Sequence, residues 1–209
     1  DGNIYITDDT AGTVRKFASD TAFIAEWDGT GGAGGFDTPT GIAIDRSNAH
    51  VYIADTWNHR IQKFDTSGNY IDDWGQQGGG DGQFYAPLDI AVDSAGDVYV
   101  LDTWNYRVQK FDSGGSFLGQ WGGEWDGVSQ PGGYDFVFPW GLCIDGNDDV
   151  YVTDAYLSVV RRYGSDGSFD TQMGPLWGGT GDMEFSFPTA LGSRGGEYVY
   201  AGDSMNYRI

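Results

Sequence analysis

The feature that most constrains this chain is an apolar strand ending in aspartate that returns five times: Ile4-Tyr5-Ile6-Thr7-Asp8, Val51-Tyr52-Ile53-Ala54-Asp55, Val98-Tyr99-Val100-Leu101-Asp102, Val150-Tyr151-Val152-Thr153-Asp154 and Tyr198-Val199-Tyr200-Ala201-Gly202-Asp203. The aspartates follow one another at 47, 47, 52 and 49 residues. Such an interval fits a supersecondary unit that buries its apolar faces only against its neighbours. Nothing between the copies has helical periodicity, and the 35 glycines lack the every-third-residue spacing of a collagen, so they serve turns.

One unit is plain in residues 39 to 75. Strand a is Ile42 to Ile44 after Pro39-Thr40-Gly41, strand b is Val51 to Ala54, strand c is Arg60 to Phe64 and strand d is Tyr70 to Trp74. Turn sequences separate them, among them Asp55-Thr56-Trp57-Asn58 and Asp65-Thr66-Ser67-Gly68. Four such strands make one antiparallel blade, so the expected fold class is all-β, a β-propeller. Strands a and b are apolar throughout, as two packed faces require, whereas strand d carries Asp72, Asp73 and Gln120 as an outer edge does. The expected division is a partial blade 1–35, complete blades 36–82, 83–134 and 135–184, and a partial blade 185–209.

The segments Pro-x-Gly-Ile-Ala-Ile-Asp, Val-Tyr-Ile-Ala-Asp and Asn58-x-Arg60-Ile61-Gln62-Lys63-Phe64, with its repeat Asn105-x-Arg107-Val108-Gln109-Lys110-Phe111, resemble NHL repeats over essentially the whole chain. The resemblance implies a six-bladed ring, which at about 47 residues a blade needs roughly 280 residues. A window on such a ring is the expectation; a five-bladed ring and assembly from several copies are the alternatives. Family uses run from protein and RNA binding to a minority of metal-dependent lyases and hydrolases, and fold alone does not choose.

Antiparallel connectivity puts the b–c turns and d–a connections at one end of the blades, the top, and the a–b and c–d turns at the bottom. Residues that recur serve the blade. Asp-x-x-Asn-x-Arg does so at Asp55/Asn58/Arg60, Asp102/Asn105/Arg107 and Asp203/Asn206/Arg208, with Asn expected in the left-handed turn conformation and Arg bonded to Asp or to loop carbonyls. Ala11 and Leu157 replace Asn where Thr13 and Val159 replace Arg. Bottom aspartates such as Asp45, Asp65, Asp93, Asp112 and Asp166 read as turn formers, and weak Ca2+ binding by them is the only cofactor chemistry expected.

Top-face aromatic residues in mobile Gly-rich surroundings are the binding candidates: Trp57, His59, Trp104, Tyr106, Trp125, Tyr134 and Tyr156, with Tyr207, Gln76 and Gln77 beside them. Trp57 and Trp104 hold equivalent positions and have an alternative role in packing over the next blade. The insertion from Gly122 to Tyr134, which lengthens one interval to 52 residues, is the leading contact loop. In the atypical fourth blade, Arg161 and Arg162 are read as solvated cations.

No catalytic residue or resident metal is assigned. His50 and His59 fall on opposite faces, and Cys143 stands where other repeats have Ala43 and Ala91, as a small buried residue. A formal charge of −20 with 11 Lys and Arg repels a phosphate backbone, which excludes nucleic acid as a partner. The expected role is therefore protein or glycan binding or scaffolding, with self-assembly through open blade edges and an extracellular or cell-envelope setting. A metal-dependent lyase or hydrolase with its site in the central channel is the alternative.

Overall fold

The computed structural model describes residues 2–31, 34–45, 47, 49–123, 136–182, 184–194 and 198–209. It forms five antiparallel sheets. The first is β1 (Ile4–Asp8), β2 (Thr13–Phe17) and β3 (Phe23–Trp27). Three four-stranded sheets follow in chain order: β4 (Pro39–Asp45) to β7 (Tyr70–Trp74) through β5 (His50–Asp55) and β6 (Arg60–Asp65); then β8 (Pro87–Val92), β9 (Val98–Asp102), β10 (Arg107–Phe111) and β11 (Phe117–Gly122); then β12 (Pro139–Ile144), β13 (Val150–Asp154), β14 (Val159–Tyr163) and β15 (Phe169–Met173). β16 (Pro188–Arg194) and β17 (Tyr198–Asp203) close the series. These are three complete and two partial propeller blades.

Strands β4, β8, β12 and β16 stand side by side as the inner row. Continuous apolarity predicts burial on both faces for strands a and b alike, and this is correct only for b of the three complete blades, since β1 and β17 of the partial ones are largely uncovered. Strands β9 and β13 are buried at every residue, whereas β4 alternates buried and partly exposed positions because one of its faces looks into the channel. The inner row is tight. A Cβ on Gly41 would come within 2.6 Å of the Asp89 Cα, so glycine lets β4 and β8 approach. The Thr40 hydroxyl donates to the Leu88 carbonyl at 2.6 Å across the same seam.

At the rim, three of the four d strands, β3, β7 and β11, carry near their ends an indole that packs on a turn glycine of the next blade, while β15 ends in Met173. Trp74 meets Gly115, where φ is 82° and a Cβ would fall 2.8 Å from the ring; Trp27 with Gly68 and Trp121 with Gly167 repeat the contact. Beside it, Tyr52 and Lys63 both donate to the Ser113 carbonyl, at 3.3 and 2.7 Å, with the Lys63 ammonium 5.5 Å from the tyrosine ring centroid. Tyr5 with Lys16 and Tyr99 with Lys110 grip Thr66 and Ser165 in the same way. All three lysines of the chain are thereby committed to the bottom turns.

Candidate functional site

The repeated aspartate organises the top face. Asp55 accepts the Asp37 N–H at 2.7 Å, the Asn58 amide at 3.0 Å, the Arg60 Nε at 2.7 Å and the Gln62 amide at 2.8 Å. The Arg60 guanidinium goes on to donate to the Gly34 carbonyl at 2.7 Å, which ties the d–a connection to the blade. Arg107 pins Gly79, Gly80 and Gln83 through their carbonyls at 2.8 to 2.9 Å, and Arg208 does the same for Gly181 and Glu184. The expectation of mobile connections is corrected for these loops, since charge-assisted bonds hold their carbonyls.

The conformational role given to Asn is also corrected. The left-handed residue is the next one, His59 at φ 55°, Tyr106 at 56° and Tyr207 at 55°, while Asn bonds through its side chain. Burial raises the Asp102 carboxyl above its usual range, more than Asn105, the Tyr85 N–H and Arg107 lower it. Around the more open Asp203 burial also pushes upward, but bonds from the Ser186 N–H, Asn206 and Arg208 outweigh it and the carboxyl falls below its usual range.

Blades lacking the Asn/Arg pair carry arginine two residues further along strand c, at the position of Gln62 and Gln109. Arg15 reaches Asp8 at 3.3 Å and Glu26 at 2.5 Å. Arg161 is fully buried, 5.6 Å from the Phe136 ring centroid and 3.4 Å from the Gln172 side-chain oxygen. Its reading as a solvated cation is therefore wrong: positions two apart share a strand face, so the cation stays under the top loops. Arg162 lies outside and pairs with Asp170 and Asp149.

On this scaffold the two seam tryptophans meet. Trp57 and Trp104 are 46% and 51% exposed, yet their rings contact edge to face with centroids 6.2 Å apart. Tyr85 joins Trp104 at 5.4 Å and His59 at 5.5 Å, and His59 returns to Trp57 at 6.2 Å. The four rings form one continuous, partly exposed cluster. Each backbone N–H of the two indole residues bonds to the loop entering its own blade, Trp57 to Asp37 and Trp104 to Tyr85. The His59 Nδ1 accepts the Ala86 N–H at 3.1 Å, leaving Nε2 to carry the proton of the neutral ring.

Of the other sequence candidates, Tyr156 pairs with Trp177 at 5.8 Å in a separate exposed group. Tyr106 leans on the core between the third and fourth blades, and Tyr207 stands alone and exposed. Gln76 and Gln77 are exposed in the connection after β7, where the Gln76 carbonyl accepts the Phe84 N–H. Trp125, Tyr134 and the rest of the insertion lie outside the described residues. Sequence reading missed Tyr85, the blade-specific residue after Phe84 in a Phe-x-x-Pro entry that recurs at Phe36, Phe136 and Phe185, and a third aromatic group, Phe138, Trp140 and Phe187, at the entries of β12 and β16.

It also missed Asp89, although Pro87-Leu88-Asp89 visibly breaks the Pro-x-Gly pattern. This carboxylate on the channel-side strand accepts the Leu142 N–H of the next blade at 2.8 Å. The residue is only partly exposed, and desolvation pushes the carboxyl up to about 6 against the hydrogen bonds from Leu142 and Ile90. Cys143 is buried beside it, and burial, then Asp89 and Asp145, push the thiol up to about 12, a small core residue rather than a nucleophile. At the bottom, Asp65, Asp112 and Asp166 accept backbone N–H groups of their own turns, which with Asn69 and serine partners hold them below the usual carboxylate range.

Architecture and site together define an arc of propeller blades with an aromatic top face. The NHL repeat family model matches residues 36–64, 84–111 and 136–158, so the chain carries NHL repeats in these three segments. No curated protein matches its sequence. Among solved structures it is similar to a catalytically inactive virginiamycin B lyase from Staphylococcus aureus with quinupristin, at TM-score 0.69 and 15% identity, covering 97% of this chain and 60% of the lyase. It is similar to a Bacteroides thetaiotaomicron protein of unknown function at TM-score 0.71 and 16% identity, over 94% of this chain and 52% of that one. A chain of the nidogen/laminin complex aligns at TM-score 0.68 and 19% identity, over 97% of this chain and 68% of its own length. At these identities the likeness is one of fold, and the chain spans 60% of the length of the lyase it matches.

Proposed function

We propose that this chain is a non-catalytic binding module that recognises an extracellular or cell-envelope protein or glycan through the cluster of Trp57, His59, Tyr85 and Trp104. The observation that carries the reading is that four touching aromatic rings, half exposed at both indoles, are held by a hydrogen-bonded blade framework. A rigid aromatic surface loses little conformational entropy on binding. That the nidogen/laminin complex contains a chain of this fold is consistent with such a role. Screening the purified protein on glycan and extracellular-protein arrays tests it. Partners should be lost when Trp57, Tyr85 and Trp104 are replaced by alanine; retention of every partner by that variant sinks the reading.

The channel-lyase alternative has Asp89 as its one supporting observation. Among the described residues no group of three His, Cys, Asp or Glu side chains is placed to hold a metal ion.

A further inference from the structure

Charge narrows what the aromatic cluster can select. Around it the cations are spent: Arg60 and Arg107 are buried against Asp55 and Asp102, Arg15 is paired with Asp8 and Glu26, and the three lysines serve the bottom turns. Carboxylates remain exposed beside the indoles. Asp37 presents its carbonyl to the Trp57 N–H at 3.1 Å and is itself exposed. Asp81 is exposed in the connection that carries Tyr85 of the cluster, four residues before it.

We propose that this surface receives a Lys- or Arg-bearing polypeptide segment, whose cationic groups lie on the exposed faces of Trp57 and Trp104 within the field of Asp37 and Asp81. The inference rests on the binding role proposed for the same face. A cation over an indole gains from the ring quadrupole, and the chain's −20 formal charge draws basic segments while repelling anionic glycans and phosphates. Both indoles keep about half of their surface exposed despite their mutual contact, so two cationic side chains a few residues apart suit the surface.

The test uses a peptide of alternating arginine and glycine, the same peptide with neutral citrulline for arginine, and the neutral oligosaccharides maltohexaose and cellohexaose. Indole fluorescence is titrated with each at about 20 and about 200 mM sodium chloride, where screening lengths differ several-fold. The arginine peptide should bind about tenfold more tightly than the citrulline peptide, and weaken with salt. Trp57→Ala/Trp104→Ala should abolish that preference. Asp37→Asn/Asp81→Asn, which keeps both indoles, should weaken the arginine peptide and flatten its salt dependence. Equal affinity for the two peptides, or no binding of the arginine peptide, overturns the cationic partner. An oligosaccharide that binds instead and is lost with the two indoles overturns it too while leaving the top face a binding site. The binding role itself falls only if no partner on the arrays loses affinity when the indoles are removed.

Discussion

Arg107 is almost wholly buried and supplies the cation for a buried carboxylate while bonding three loop carbonyls. Removing one partner of such a pair strands the other, so Arg107→Ala should cost about 3–5 kcal/mol in urea unfolding. The sequence signal was strong because the pair recurs in three units and vanishes as a pair in two. Asp89 was legible only as an exception to a glycine. Its carboxyl, at about 6, lies above the 3.8 of an ordinary aspartate, so the folded state binds the extra proton between those values. Stability from this group therefore rises as pH falls through 6 toward 3.8. Asp89→Asn should make the protein more stable at pH about 7.5 than the parent, with the advantage shrinking by pH about 5 in paired urea titrations. A constant difference across that range would show that Asp89 titrates normally.

Strands and turns follow directly from the repeat, because period-two apolar runs and Asp/Gly turns state their own geometry. What the elements do to one another was less visible. The glycines of the c–d turns look like ordinary turn residues, yet each is also the floor for an indole of the preceding blade. Gly115→Ala puts a methyl into the Trp74 ring at a left-handed backbone position and should destabilise by about 1–3 kcal/mol. Trp74→Leu in the same background should recover part of that loss in thermal melts. If the two substitutions are simply additive, the rim contact is not what holds neighbouring blades. Left-handed His59, Tyr106 and Tyr207 were not legible, since Asn, one residue earlier, is the commoner left-handed type and Tyr does not favour that conformation; the hydrogen bonds of the neighbouring Asn and Arg impose it.

At the scale of the molecule, the face that gathers the aromatic residues is the one whose framework consumes the arginines, so an acidic and aromatic surface is a by-product of how the blades are tied. Trp57, His59 and Trp104 were visible in sequence as turn aromatics. Their meeting across a seam depends on packing that only adjacent blades create, and Tyr85 holds a variable position of the Phe-x-x-Pro entry, where the other blades have Asp37, Val137 and Ser186. The most direct test is to record the indole N–H resonances of the eight tryptophans while the arginine peptide is added. Shifts concentrated at Trp57 and Trp104, with the rim indoles Trp27, Trp74 and Trp121 unmoved, are the expected result; no perturbation at Trp57 and Trp104 would contradict a binding site at this face.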